Sequence, residues 1–314
     1  MLRGAMIVSE LRDHGVRGVC PLCGSDRTGD PLRLDVFTNL RCADCGFRYV
    51  REVLPDDRLE AFYRAGYGNE RMRLGQIVNA GVNLGLFRDL LGTAARGRLI
   101  DVGTGYGFFP DAARRTLGLE VAGVELSVAE ATYARDRLGL AIAPSLDAVG
   151  PGERFDIVTA FEVIEHVPEP AAFAAALAAM VRPGGYLLLA TDNFESPAAR
   201  ALGAGFPKWI PHQHVSCFAP ASLRRLIAGL DGFEVVGERS YTPWELQARR
   251  LAIALSGGRI GRFEYRYGPA LERDDSGTYR LPRLRRHANR LWARLTARRG
   301  LGGAMMYALA RRAA

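Results

Sequence analysis

Residues 99–109 read LIDVGTGYGFF: an apolar run, then glycines at 103, 105 and 107, then two aromatics that open a helix-like stretch. A strand, a G-x-G-x-G turn and a helix N-terminus in that order leave few architectures open. Side chains on the turn would keep a ligand away from the backbone N–H groups at the helix start, which is why glycine is needed there. From residue 98 onward strand-like and helix-like segments alternate, predicting an α/β sheet of mostly parallel strands. Strands are expected at 98–102, 120–124, 141–143, 155–160, 186–191 and 233–238, with a last one in AMMYALARR, 304–312. Ser127 and Glu130 have the spacing of a capping box at the start of the helix after the second strand. RPGG at 182–185 ends an Ala-rich helix. Asp101 lies at the end of the first strand. Glu125, at the end of the second, is placed to accept hydrogen bonds from the ribose hydroxyls of an adenosine ligand. A nicotinamide cofactor and a methyl donor both meet these requirements.

Four of the five cysteines precede the sheet as Cys20, Cys23, Cys42 and Cys45: C-x2-C, an 18-residue gap, C-x2-C. Each x2 turn presents two thiolates to one ion, and Gly24 and Gly46 ease the knuckle turns, so the spacing points to a structural zinc ribbon. The alternative, two disulfides, needs an oxidising compartment for which the sequence offers no sign. Cys217 stands apart and reads as a small buried side chain. The expected organisation is a leader and zinc ribbon over 1–54, a helical connector or cap over 55–97, and a sheet domain over 98–314 with a largely helical insertion at 242–303. The connector carries Phe62, Tyr63 and Tyr67, read as packing aromatics, then an amphipathic pattern through Ile77, Val78, Val82, Leu86 and Leu90.

Of 42 Lys and Arg residues only Lys208 is lysine, and the net charge is +8. The wealth of Ala, Gly and Arg suits GC-rich coding as well as it suits selection for an acidic partner, and the bland reading is a solvated arginine surface. In the Arg-rich stretch at 280–299, Leu284, Ala288, Leu291 and Leu295 line one helical face. That face is expected to pack as a lid on the sheet, the alternative being peripheral contact with a membrane or an anionic substrate. No apolar run is long enough for a membrane span, and the N-terminal residues lack an h-region, so a cytoplasmic location is expected.

FDIVTAFEVIEHVPEP (155–170), VRPGGYLLLATDN (181–193) and PHQHVSCFAPASLRRLIAGLDGFEV (211–235) together resemble the class I S-adenosylmethionine-dependent methyltransferases, small-molecule branch. The resemblance covers about residues 75–240 and the last strand. It implies a seven-stranded Rossmann-like sheet whose final, antiparallel strand slots between the fifth and sixth. It further implies that Asp101, Gly103, Gly105 and Gly107 hold the methionine and ribose region of S-adenosylmethionine, and Glu125 the ribose. Leu126 would then lie against the adenine, Ser145 and Leu146 at its edge with Asp147 nearby, and Phe161 near the sulfonium.

For the reacting end, an oxygen nucleophile must lose a proton, and a positioned base accelerates that step by about 10²–10⁴-fold. The histidines are His14, His166, His212, His214 and His287. His166, His214 and, as second choice to His214, His212 lie in methyltransferase-like segments and are the candidates. If a helix starts near Glu162, the i, i+3, i+4 spacing puts Glu162, Glu165 and His166 on one face. E-x-x-E-H with a later histidine resembles the metal sites of small-RNA 2′-O-methyltransferases and ubiquinone-pathway O-methyltransferases. Glu162, Glu165, His166 and His214 would then hold Mg²⁺ or Mn²⁺ as a Lewis acid. The leading expectation is O-methylation of a small, sugar or lipid-linked metabolite. Nucleotide-sugar C-methylation is the alternative suggested by the ribbon, although only about 70 residues follow the sixth strand. RNA modification through the ribbon and the Arg-rich helix is the other, with nucleic acid the less favoured partner.

Overall fold

The computed structural model describes residues 15–66, 69–256, 265–266 and 282–314. Tyr67, His14 and the parts of the insertion at 257–264 and 267–281 lie outside the described residues.

The N-terminal segment contains β1 (Gly15–Val16), β2 (Thr28–Leu34), β3 (Phe37–Cys42), β4 (Arg48–Val50) and β5 (Glu52–Val53). Two helices follow, α1 (Asp56–Gly66) and α2 (Glu70–Leu91), the second capped by the Asn69 side chain, which accepts from the Met72 N–H. The sheet domain then runs β6 (Arg98–Val102), α3 (Phe108–Leu117), β7 (Glu120–Val124), α4 (Val128–Leu138), β8 (Ala141–Ala143), β9 (Phe155–Phe161), α5 (Pro170–Met180) and β10 (Val181–Asp192). It continues with α6 (Pro197–Leu202), β11 (Ser216–Cys217), α7 (Pro220–Ala228), β12 (Phe233–Tyr241), α8 (Trp244–Leu255), α9 (Pro282–Thr296), β13 (Arg298–Arg299) and β14 (Met305–Arg312).

The central sheet has the order β8-β7-β6-β9-β10-β14-β12-β13. Pairing is parallel from β8 through β10, and β14 runs antiparallel to both β10 and β12. All seven expected strands are present with the last between the fifth and sixth, but the sheet has eight. The chain returning from the insertion adds β13 as a two-residue edge, Arg239 opposite Arg299 and Ser240 opposite Arg298. Strand order reverses at β6, so the carboxyl ends of β6, β7 and β9 open side by side, the place where such sheets bind ligands.

Alternate strand residues face opposite layers. Ile100, Val158, Leu187 and Leu189 pack toward α5, α7 and the cysteine-bearing segment, whose Phe47 and Tyr49 are fully buried there. Leu99, Ile157 and Leu188 pack toward α2, α3 and Ala293 of α9. The ribbon is thus built into the core. It also reaches the far end of the chain's catalytic-looking text. β11 adds to the β2-β3-β4 sheet, Ser216 opposite Tyr49 and Cys217 opposite Arg48, and the buried Cys217 accepts from Asn39 Nδ2 at 3.3 Å.

The insertion differs from expectation. α9 does lie on α2, with the stems of Arg286 and Arg290 against Gly81. Its covered side, however, is the one carrying Asn289, Trp292 and Ala293, whereas Leu284, Ala288, Leu291 and Leu295 are exposed. A glycine on α2 leaves room for the apolar stems of these arginines at van der Waals range.

Candidate functional site

Gly103, Gly105 and Gly107 all take positive φ, 72°, 56° and 81°. A Cβ at Gly103 would stand 2.3 Å from Val163 Cγ2, and one at Gly105 would stand 2.3 Å from Gln76 Oε1. Glycine is therefore required both by conformation and by space. The loop is tied to the neighbouring strand end by Glu125, whose carboxylate accepts from the N–H groups of Gly105 and Ser127, each at 2.7 Å. Asp101 sits one layer deeper, accepting from Thr159 Oγ1 at 2.5 Å and Thr104 Oγ1 at 3.0 Å. Burial raises its pKa to about 7. Ser127 caps α4 through the Glu130 N–H at 3.4 Å, but the Glu130 side chain does not close the capping box. It accepts instead from Gln76 Nε2 at 2.9 Å, and burial together with the nearby Glu125 raises its pKa to about 8.

Gln76 was not singled out by the sequence. Projecting from α2, it also accepts from the Tyr106 N–H at 2.8 Å, so the connector helix closes over the glycine loop. A cavity of about 1000 Å³ starts at this loop. Its walls include Asp101, Gly103, Gly105, Glu125, Leu126, Ser145, Leu146, Asp147 and Phe161, and at the other end His166, His214, Glu162 and Lys208. Gly107 does not line it; that residue is the N-cap of α3 and faces Leu140 and Ala134. His212 is not on the wall either: its Nδ1 is 2.6 Å from Tyr265 Oη and its Nε2 3.0 Å from Gln213 Nε2.

No α-helix starts at Glu162. That residue has φ 54°, and residues 164–166 form a single 3-10 turn before α5 begins at Pro170. The three side chains of E-x-x-E-H therefore diverge from the one-face arrangement expected of a helix. Glu165 turns inward, accepting from Thr191 Oγ1 at 2.8 Å, and its Oε1 is buried without a hydrogen-bond partner. Glu162 turns to Lys208 Nζ at 3.2 Å, and the same ammonium lies 3.1 Å from Asp192 Oδ2. His166 Nδ1 is 2.9 Å from Tyr63 Oη, which makes Tyr63 more than a packing aromatic. His214 Nδ1 is 2.8 Å from the Lys208 carbonyl; a carbonyl only accepts, so Nδ1 carries the proton and Nε2 keeps the lone pair. The two imidazoles meet edge to face with centroids 4.8 Å apart. Burial lowers the pKa of His166 to about 4 and that of His214 also falls, holding both rings neutral. One ligand atom each from Glu165, His166 and His214 lies within 4.8 Å of the others, and so does one each from Glu162, Glu165 and Asp192.

The four ribbon cysteines form a separate cluster. Cys20 and Cys45 sulfurs are 3.6 Å apart, as are those of Cys23 and Cys42, and all four lie within 4.8 Å of one another. Tetrahedral zinc with Zn–S of about 2.3 Å sets its sulfurs about 3.8 Å apart, so the donor set and spacing fit that ion.

A family model described as a methyltransferase domain matches residues 79–238, and the chain belongs to that family. It is 37% identical over 145 residues to the ubiquinone biosynthesis O-methyltransferase of Rhodopseudomonas palustris (strain BisB5), across 42% of this chain and 57% of that one. It is 35% identical over 163 residues to the enzyme of the same name from Thiobacillus denitrificans, across 46% of this chain and 69% of that one. The chain thus spans 57% of the length of the first of these relatives. A solved Thermotoga maritima S-adenosylmethionine-dependent methyltransferase, described as a possible histamine N-methyltransferase, aligns with TM-score 0.51 at 18% identity. That alignment covers 81% of this chain and 98% of the other, and the likeness is one of fold. Among the described residues no helix is long and apolar enough to cross a membrane.

Proposed function

We propose that the protein is an S-adenosylmethionine-dependent methyltransferase that methylates a hydroxyl of a small, sugar or lipid-linked metabolite, with a histidine taking the acceptor's proton. The observation that carries this reading is the single cavity joining the glycine loop to the His166–His214 pair. In it Glu125 binds the ribose, Leu126, Ser145 and Leu146 the adenine, Gly103 and Gly105 the methionine end, and Phe161 closes the wall toward the acceptor. Asp101 lies on the wall beneath the loop, and Gly107 shapes the loop from behind. S-adenosylmethionine, when bound, supplies an electrophilic methyl group. The chain's own share is alignment of the acceptor, exclusion of water and removal of one proton. His214 Nε2 holds that proton, with the ring oriented by the Lys208 carbonyl, and His166 is steadied by Tyr63. The name shared by the two bacterial relatives supports oxygen as the acceptor atom. Zinc in the Cys20, Cys23, Cys42, Cys45 cluster is structural, supporting the strand that pairs with β11.

A second reading is favoured by the unpartnered Oε1 of Glu165: Glu165, His166 and His214 hold Mg²⁺ or Mn²⁺, which would polarise the acceptor oxygen. The test is calorimetric titration with S-adenosylmethionine, followed by transfer of labelled methyl to a panel of hydroxyl-bearing and amine-bearing metabolites and to RNA. Donor binding with transfer to hydroxyls supports the proposal; no donor binding, or transfer to amines or RNA alone, sinks it. Full activity after chelation with ribbon zinc retained leaves the histidine base, and loss restored by Mn²⁺ selects the metal.

A further inference from the structure

We propose that Lys208 is a built-in replacement for a divalent cation: its ammonium occupies the carboxylate cluster of Glu162, Glu165 and Asp192 and directs a remaining N–H at the acceptor.

Lysine is rare in this chain: among 42 Lys and Arg residues Lys208 is the one lysine. Arginine presents a planar fork, whereas lysine presents a compact, strongly hydrated point charge with three donors. The exception in an arginine chain falls where three carboxylates converge. One oxygen from each of Glu162, Glu165 and Asp192 lies within 4.8 Å of the others, and Nζ stands 3.2 Å from the first residue and 3.1 Å from the last. Glu165 is 1% exposed with Oε1 unpartnered, so the cluster holds a buried acceptor that no hydrogen bond satisfies. Two buried carboxylates and a half-buried third without a counter-charge repel one another and would recruit a cation.

Two further features show that the ammonium organises the site. Glu162 sits at φ 54°, a left-handed conformation unfavourable for a non-glycine residue. The Lys208 ion pair and Asn79 Nδ2 at 3.4 Å hold its carboxylate there. The Lys208 carbonyl sets the His214 tautomer, so one residue places both the fixed charge and the lone pair. Its side chain keeps 29% exposure and lines the cavity. With one N–H donated to Glu162 and the ammonium in ion-pair contact with Asp192, donor capacity is left for an acceptor oxygen that gains negative charge as its proton leaves. The acceptor class that uses this is a neutral hydroxyl compound with a second oxygen beside the reacting one, one oxygen facing His214 and the other Lys208. This last step rests on the methyltransferase reading; the occupancy of the carboxylate cluster does not.

The experiment uses full-length protein with ribbon zinc in place and Mn²⁺ as probe, read by electron paramagnetic resonance. Lys208→Ala should gain one bound Mn²⁺ with affinity at least about 100-fold above wild type, and Asp192→Asn added to it should abolish the gain. Lys208→Arg, which keeps the charge, should exclude Mn²⁺ as wild type does. In turnover, Lys208→Ala should lower kcat about 100-fold with donor affinity unchanged, and Mn²⁺ should restore part of it. Wild-type Mn²⁺ binding that Asp192→Asn removes overturns the proposal, and so does a Lys208→Ala protein that gains no Mn²⁺. Should the Ala variant fail to fold, Lys208→Met is read by the same two criteria. If no variant binds S-adenosylmethionine, the methyltransferase reading falls while the Mn²⁺ result still decides the role of Lys208.

Discussion

The two ends of the cavity are built by different means. At the donor end, positive-φ glycines, strand ends and backbone N–H groups make most of the site: Glu125 serves the N–H groups of Gly105 and Ser127, Asp101 is tied to Thr104 and to Thr159 of β9, and Gln76 reaches in from α2. At the acceptor end, side chains from four separate stretches converge: Tyr63 from α1, Glu162 to His166 after β9, Asp192 at the end of β10, and Lys208 to His214 ahead of β11. A backbone-made site tolerates little variation in chain path, while a side-chain-made site can be retuned residue by residue. The donor end thus suits a cofactor common to many enzymes and the acceptor end a particular substrate.

The largest expected effect is on the support of the acceptor end. On the zinc reading, Cys20→Ser with Cys23→Ser should remove metal binding on the order of 10 kcal/mol from a cluster beside strand β4, which carries β11. The double variant should lose its one zinc per chain and its cooperative unfolding transition, measured by metal analysis and calorimetry. A folded, zinc-free double variant ends the ribbon reading. Next, His214→Ala should lower kcat by about 10²–10⁴-fold with donor affinity intact, in single-turnover assays; an unchanged rate moves the base elsewhere. Glu125→Ala acts on the other end: donor affinity should fall by about 100-fold, the sum of lost ribose contacts and a loosened Gly105, with the protein still folded. Unchanged affinity would remove Glu125 from the donor site.

The smallest effect separates the ends by pH. Glu130 has its folded pKa raised from 4.5 to about 8 by burial and by Glu125. A raised acid contributes most stability below its unfolded pKa and loses that contribution as pH climbs through the folded value. Donor-free protein should therefore lose stability from about pH 4.5 to about pH 8 on account of this residue. Glu130→Gln should flatten that slope and raise Tm by about 2–4 °C at about pH 9. An identical slope in both proteins would show that Gln76 and the loop leave Glu130 better solvated than the fold implies.

The difference between the ends also governs what could be read from the residues in order. The glycine loop, the strand run and the cysteine spacing are local patterns, with periods of a few residues, and each was legible, whereas the antiparallel course of the last strand was implied only by the family resemblance. The acceptor end was legible only in part. His166 and His214 stood in recognisable text, but the helix expected at Glu162 is a left-handed residue and a 3-10 turn, because Glu162 is drawn to Lys208, 46 positions away. Nothing in the sequence marked Gln76 or Asp192 as a site residue, although Asp192 falls in a family-like segment, and Tyr63 looked like packing. The one available signal was Lys208 itself, a lone lysine in an arginine chain. α9 shows the same limit on the outer surface, where the leucine stripe is exposed and another side of the helix lies on α2. Sequence alone determined the α/β class, the donor loop and the cysteine cluster, since backbone conformation and short spacings are set by neighbours along the chain. Only the tertiary structure decided which charges meet, because ion pairs between distant segments depend on where the packed core brings their ends.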